Sequence, residues 1–264
     1  MADDLNLIAI SVGNSRTACA LFEDGKREHS ERFDNTDLPE MVQQVTGWWQ
    51  RIANAARPAI ALASVNDPVA DRLAVTIEDQ LSVEVYRVNR DLPIPIGRQL
   101  DPETITGPDR LLNAAAAFDT VRQACIIVDA GTAITVDFVD GEGTFHGGAI
   151  APGGSMQLNA LHEHTATLPD VKFSAPDSEA FGRSTTQAML QGVYHGIRGM
   201  IWRLVEQYAE AYGAYPMVIA TGGDAELLFS RDELIDRIVP DLTLMGIAAA
   251  ARRALVPGNA DVRP

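Results

Sequence analysis

Cysteine is nearly absent: Cys19 and Cys125 are the only two in 264 residues, each inside an apolar run. A disulfide-framed scaffold is thereby excluded, and two small buried thiols are expected instead. Basic residues are scarce as well. Lys and Arg number 21 against 36 Asp and Glu, a formal net charge of -15, so no concentrated cationic face is on offer to nucleic acid. No apolar run is long enough to span a bilayer. The opening Met1-Ala2-Asp3-Asp4 is acidic where a secretory leader is basic, so a cytoplasmic protein without a membrane partner is expected. Low-complexity segments and repeats of solenoid period are missing too.

Hydrophobic residues make up 46% and charged residues 22%, the balance of a folded soluble chain. The length allows one large core or two of ordinary size. Leu5 to Ile10 is a short apolar run, broken at Gly13-Asn14 and resumed from Ala18 to Phe22, with Asp24-Gly25 turning the chain again. That predicts strand, tight turn, strand and a further hairpin. The plan recurs from Cys125: an apolar run to Val128, a turn at Gly131-Thr132, a run from Ile134 to Val139, and Asp140-Gly141. Helical stretches are expected over Leu38 to Ala56, Arg110 to Gln123, Thr185 to Ala211 as one helix or two, and Leu244 to Leu255 before Pro257-Gly258. A buried strand from Met217 to Ala220 leads into Thr221-Gly222-Gly223-Asp224. These halves predict a duplicated α/β architecture with a boundary near residue 120, giving domains 1–120 and 121–264.

A glycine turn between strands lets backbone N–H groups approach phosphate oxygens with no side chain in the way. Gly13, Asn14 and Ser15 offer such donors, with Arg16 adding charge; Gly131, Thr132 and Ala133 offer a second set, flanked by Asp129 and Asp137. Either turn alone is equally an ordinary hairpin. Two matching turns and the Thr221-Gly222-Gly223 segment together point to phosphate or nucleotide binding. Gly107-Pro108-Asp109-Arg110 opens the alanine-rich helix. There Asp109 reads either as a helix cap or as a base taking a proton from a substrate hydroxyl beside an anion-orienting arginine. His162 and His164 are two apart and face different ways on a helix, which argues for surface polarity over a metal site. Trp48-Trp49 reads as helix packing rather than a base-stacking platform.

The order of these motifs resembles the type III pantothenate kinases, of the superfamily that includes acetate kinase, sugar kinases and actin. The resemblance spans nearly the whole chain. It is carried by Gly13-Asn14-Ser15, Gly107-Pro108-Asp109-Arg110, Asp129-Ala130-Gly131-Thr132-Ala133 with Thr135 and Asp137, and Gly147-Gly148-Ala149-Ile150-Ala151-Pro152-Gly153. Leu168-Pro169, Gly182-Arg183-Ser184-Thr185 and Thr221-Gly222-Gly223-Asp224 complete it. It implies duplicated ribonuclease H-like, actin-like ATPase domains, mixed sheets flanked by helices. It also implies ATP-dependent phosphorylation of pantothenate, the first step of coenzyme A synthesis. By motif position Asp109 is then the general base and Gly107, Pro108, Asp109 and Arg110 contact pantothenate. Ser11, Val12, Gly13, Asn14, Ser15, Arg16, Thr17, Ala18 and Thr132 meet ATP. Asp129 binds a monovalent cation (potassium or ammonium), and magnesium accompanies ATP. A homodimer with its active sites at the interface is implied, with Thr185 reaching the neighbouring subunit's substrate.

Two departures stand out. Ser11 occupies the position where the family carries an aspartate, losing a carboxylate near the metal–phosphate centre. The family's substrate-contacting tyrosine has no counterpart in Arg98-Gln99-Leu100-Asp101, and Pro102 to Gly107 is one residue longer. Three readings stay open at this stage: a working pantothenate kinase, a degenerate homologue that binds nucleotide or an acidic ligand without turnover, and a kinase for another small hydroxylated acid.

Overall fold

The structure is a computed structural model that describes residues 5–256. The acidic Met1–Asp4 and the helix stop expected at Pro257-Gly258 lie outside the described residues. Two compact units emerge. One holds the described residues up to Thr120 together with those from Asp241 onward; the other is Val121–Pro240.

In the first unit β1 (Asn6–Val12), β2 (Arg16–Glu23) and β3 (Lys26–Asp34) run as an antiparallel meander. After them come α1 (Leu38–Ile52), β4 (Pro58–Ser64), α2 (Asp67–Leu81) and β5 (Val85–Arg87). The sheet order is β3-β2-β1-β4-β5, with β4 parallel to β1 and β5 parallel to β4. Leu7, Ile8, Ala9 and Ile10 of the central strand are all fully buried. A strand covered on both faces needs apolar residues on both, which explains the unbroken run. Ile8, Ile10 and Val12 pack with Trp48 of α1 and Leu73 of α2 in one core, with Trp49 partly buried against it. The tryptophan pair is therefore packing. β3 completes the hairpin expected at Asp24-Gly25 and is an exposed edge strand of mixed charge (Lys26, Arg27, Glu28), a composition that protects an open edge from stray pairing. A two-residue strand, β6 (Gly97–Arg98), and helix α3 (Pro108–Val121) follow. α3 starts two residues before the expected Arg110, because Pro108 brings a preset φ to the first helical position.

The second unit contains β7 (Cys125–Ala130), β8 (Ala133–Val139), β9 (Thr144–Pro152), α4 (Gly154–Glu163), α5 (Thr185–Tyr212), β10 (Met217–Thr221), α6 (Ala225–Phe229) and β11 (Arg237–Ile238). Within it the strand order is β9-β8-β7-β10-β11, antiparallel from β7 to β9 and parallel from β7 to β11. The order and directions repeat those of the first unit. The duplication expected from two glycine turns is thus one of whole topology. α5 is a single helix of 28 residues, opened by the Ser184 side chain accepting the Gln187 N–H and closed by left-handed Gly213. Val193, Ile197, Ile201 and Val205 recur every fourth residue along its buried face.

The last helix, α7 (Leu242–Leu255), was expected with the 121–264 half, yet it packs on β1, β2 and β4 of the first unit. Three features hold it there. The hydroxyl of Thr243 donates to Asn113 Oδ1 at 2.8 Å. Asp241, in the left-handed region at φ 60°, accepts hydrogen bonds from Arg27, Ser30 and Arg32 at 3.2, 2.8 and 2.7 Å. Gly246 lies against the backbone of Leu112, where a first side-chain carbon would come within 2.7 Å of the Leu112 carbonyl carbon.

Both cysteines are free and buried, and burial pushes each thiol up to about 12, with Glu31 adding to the effect at Cys19. Thiol chemistry is closed to the native chain at neutral pH.

Glycine substitutions separate crowding from propensity. Gly246→Ala destabilises the protein by about 1–3 kcal/mol through overpacking against Leu112. Gly47→Ala, in α1 with nothing within 4 Å of the new carbon, stabilises it by about 0.5–1 kcal/mol. Urea unfolding monitored by circular dichroism checks both signs.

Candidate functional site

The first turn sits at the C-terminal end of β1, beside the end of parallel β4, where ligands of open α/β sheets bind. It is closed by the Gly13 N–H donating to the Arg16 carbonyl at 2.9 Å, and a side-chain carbon on Gly13 would crowd that same oxygen. The Gly13 N–H is therefore spent inside the hairpin and is not among the outward donors. Its carbonyls are held from behind. The Asn35 carboxamide donates to the Gly13 and Asn14 oxygens at 2.9 and 3.1 Å, and Asn66 donates to the Asn14 oxygen at 3.3 Å. Thr17 in turn donates to Asn35 Oδ1 at 2.8 Å, fixing which end of the carboxamide faces the turn.

In a trans peptide the C=O and the following N–H point in opposite directions. Holding the Gly13 and Asn14 carbonyls from behind thus aims the N–H groups of Asn14 and Ser15 the other way. Asn14, Ser15 and Arg16 are exposed, whereas Val12 and Thr17 are buried and Ser11 and Ala18 are half-buried partners across β1 and β2. Of the eight consecutive residues from Ser11 to Ala18, the three at the tip are the ones presented to solvent. Asn35 and Asn66 escaped sequence reading, since a lone asparagine in a polar segment carries no pattern; the only hint was the Asp34-Asn35-Thr36 turn composition.

Gly107 and Asp109 lie in the same unit. A first side-chain carbon on Gly107 would sit 2.5 Å from Asp109 Oδ1 and 3.9 Å from the Val65 side chain. Val65 itself extends the β1–β4 ladder, its N–H reaching the Val12 carbonyl at 3.0 Å. The missing side chain at Gly107 thus makes room for the Asp109 carboxylate near the strand ends that carry the first turn. Asp109 also accepts the Arg110 N–H at 2.9 Å, a local backbone role at the start of the helix.

The second unit repeats the arrangement with different details. The Gly131 N–H closes its turn onto the Ala133 carbonyl at 3.0 Å, and the Gly153 N–H holds the Thr132 carbonyl at 3.0 Å. A side chain at Gly153 would collide with the Gly131 and Thr132 carbonyls. Gly222, at φ 96°, presses on the end of β7: a first carbon there would meet the Ala130 carbonyl and lie 2.5 Å from Asp129 Oδ1. Two oxygens thus converge beside Gly222. Thr132 is exposed at the turn. Asp137, expected to flank the turn, is 2% exposed under Gly148 of β9 and away from it. Thr185 is the first residue of α5 and is exposed. His162 binds the Leu168 carbonyl at 2.8 Å, and no cluster of three or more His, Cys, Asp or Glu able to hold a metal occurs among the described residues. No helix among them is long and apolar enough to cross a membrane.

Two units of one strand order, each with a glycine-led turn at the end of its central strand, have the duplicated actin-like fold. Solved structures agree on the fold. A Baf family protein from Campylobacter jejuni matches with a TM-score of 0.60 at 19% identity, covering 93% of this chain and 98% of its own. The activator of the 2-hydroxyisocaproyl-CoA dehydratase from Clostridium difficile, solved with bound ADPNP, matches at 0.51 and 12% identity, over 95% and 94%. The sequence model of the type III pantothenate kinases matches residues 7–207. The type III pantothenate kinase of Rhodospirillum rubrum is 35% identical over 254 residues, 94% of this chain and 98% of that protein. The chain belongs to the type III pantothenate kinase family.

Asn35→Ala, and Asn35→Asp, which keeps the size but loses the donor, release the two turn carbonyls. Both variants bind ATP about tenfold more weakly, the effect of one or two lost hydrogen bonds, with an unchanged circular dichroism spectrum. Calorimetric titration reads the loss.

Proposed function

We propose that the chain transfers the γ-phosphoryl group of ATP to the primary hydroxyl of pantothenate, giving 4'-phosphopantothenate, the first step of coenzyme A synthesis. The reading is carried by the family match over residues 7–207 together with the Asp109 carboxylate set in the space left by Gly107. Asp109 accepts the hydroxyl proton as that oxygen attacks phosphorus, and ADP leaves with the bridging oxygen. Gly107, Pro108 and Arg110 hold pantothenate around it, the guanidinium facing the substrate carboxylate. Because phosphoryl transfer asks mostly for positioning and charge stabilisation, the outward amides of Asn14 and Ser15 and the Thr132 hydroxyl serve as phosphate contacts.

Magnesium bound mainly through phosphates and water needs only one or two protein carboxylates, so the lack of a three-residue cluster among the described residues is compatible with it. When bound, it neutralises phosphate charge. The Asp129 carboxylate and the Ala130 carbonyl, converging beside Gly222, are oxygen donors suited to a monovalent cation such as potassium or ammonium. Thr185 reaches the substrate of a second subunit in a homodimer, and the enzyme works in the cytoplasm.

Ser11, in β1 opposite Ala18 and Ala63, keeps an oxygen where the family has a carboxylate. Turnover of pantothenate with Mg-ATP and potassium, followed by formation of phosphopantothenate, tests the reading. Wild type turns over, and Asp109→Asn lowers kcat by about 10²–10⁴-fold, the range of a lost general base. Turnover that appears only in Ser11→Asp, or an Asp109→Asn variant with undiminished kcat, would overturn it. Asp129→Asn loses the stimulation of rate by potassium; equal rates in potassium and in a large organic cation for both proteins would remove Asp129 from that role.

A further inference from the structure

We propose that a cleft in the first unit, separate from the phosphate turn, binds a small amphipathic anion: a short apolar body ending in a carboxylate or phosphate. The cleft has a volume of about 320 Å³ and is lined by Phe22, Arg27, Asp119, Met245, Ala249 and Arg252 among others, within the usual range of small-ligand sites. It lies at the far end of the sheet. Phe22 pairs with Leu7, and the Gly25 N–H reaches the Leu5 carbonyl, at the start of β1. The Gly13 turn is at the other end of that seven-residue strand, about 20 Å away at 3.3 Å per residue. No residue of the turn or of Gly107–Arg110 touches the cleft.

Its chemistry runs against the composition. In a chain of formal charge -15, two guanidiniums and one carboxylate line the same hollow; the Asp241 carboxylate beside Arg27 is shared with Arg32, so three guanidiniums stand against two carboxylates, a balance that favours one anionic head group. Each guanidinium carries five N–H donors, so an arginine already holding a carboxylate still has donors for a ligand. Arg27 holds Asp241 at 3.2 Å, which orders its head before binding and lowers the cost of immobilising it. The phenyl ring of Phe22, the thioether of Met245 and the small face of Ala249 supply an apolar wall for the body of the ligand.

Methyl NMR of the full chain, labelled at Met and Ala, reads the cleft directly, whether or not the chain phosphorylates pantothenate. The probes are hexanoate, butyl phosphate and hexylammonium. The Met245 and Ala249 methyls shift saturably with one or both anions and not with the cation; the tighter anion identifies the head group. Arg252→Gln weakens binding at least about tenfold, as expected for a lost charge-assisted hydrogen bond. Ala249→Leu fills the cleft while leaving both arginines and abolishes binding, so it decides the matter should Arg252→Gln fold poorly. Absence of a saturable Met245 shift with either anion, an equal response to hexylammonium, or affinity unchanged in Ala249→Leu overturns the proposal.

Discussion

Close backbone approach at the ends of the central strands is the constraint on which the rest of this structure depends. Four positions, two in each unit, have no room for a side chain: Gly13 against Arg16, Gly107 against Asp109, Gly153 against the second turn, and Gly222 against Ala130 and Asp129. Under 3.0 Å, something must move, and in three of the four the obstacle is backbone that cannot. The sheets bring these segments together because β1 and β7 are each flanked by an antiparallel and a parallel neighbour. One side supplies the hairpin turn and the other supplies the end of β4 or β10.

Under the proposed function, this arrangement lets a strongly acidic chain serve phosphate. The local field at the turns combines oriented amides with the single exposed guanidinium of Arg16 beside the first of them. Orientation is enforced from behind by neutral groups, the carboxamides of Asn35 and Asn66 in the first unit and the Gly153 N–H in the second. Neutral clamps add no counter-charge at the site, and a duplicated fold has met the same need with two unlike devices.

Much of this was legible in the sequence, and the illegible parts have physical reasons. β1, β2, β7, β8 and β10 announce themselves because buried strands demand continuous apolar runs. β3, a charged edge, carries no apolar run and was expected only through the hairpin turn at Asp24-Gly25, and β9 does not announce itself, since Gly147 and Gly148 make it look like loop. The glycine turns were readable as local chemistry. Asn35 was not, as it acts on residues 21 and 22 positions away in the chain. The periodicity of α7 revealed a helix but not which sheet it covers; Asp241, Thr243 and Gly246 fix that choice through Arg27, Asn113 and Leu112, far away in the chain.

The return of α7 to the first unit makes the second unit an insertion between α3 and α7. A ribosome therefore releases the second unit with its strands complete while β1, β2 and β4 still lack one of their covering helices. The first unit, though begun first, finishes last. Until Asp241 arrives to meet Arg27, Ser30 and Arg32, the nascent chain carries an exposed apolar sheet face, the state most open to chaperone capture or to aggregation.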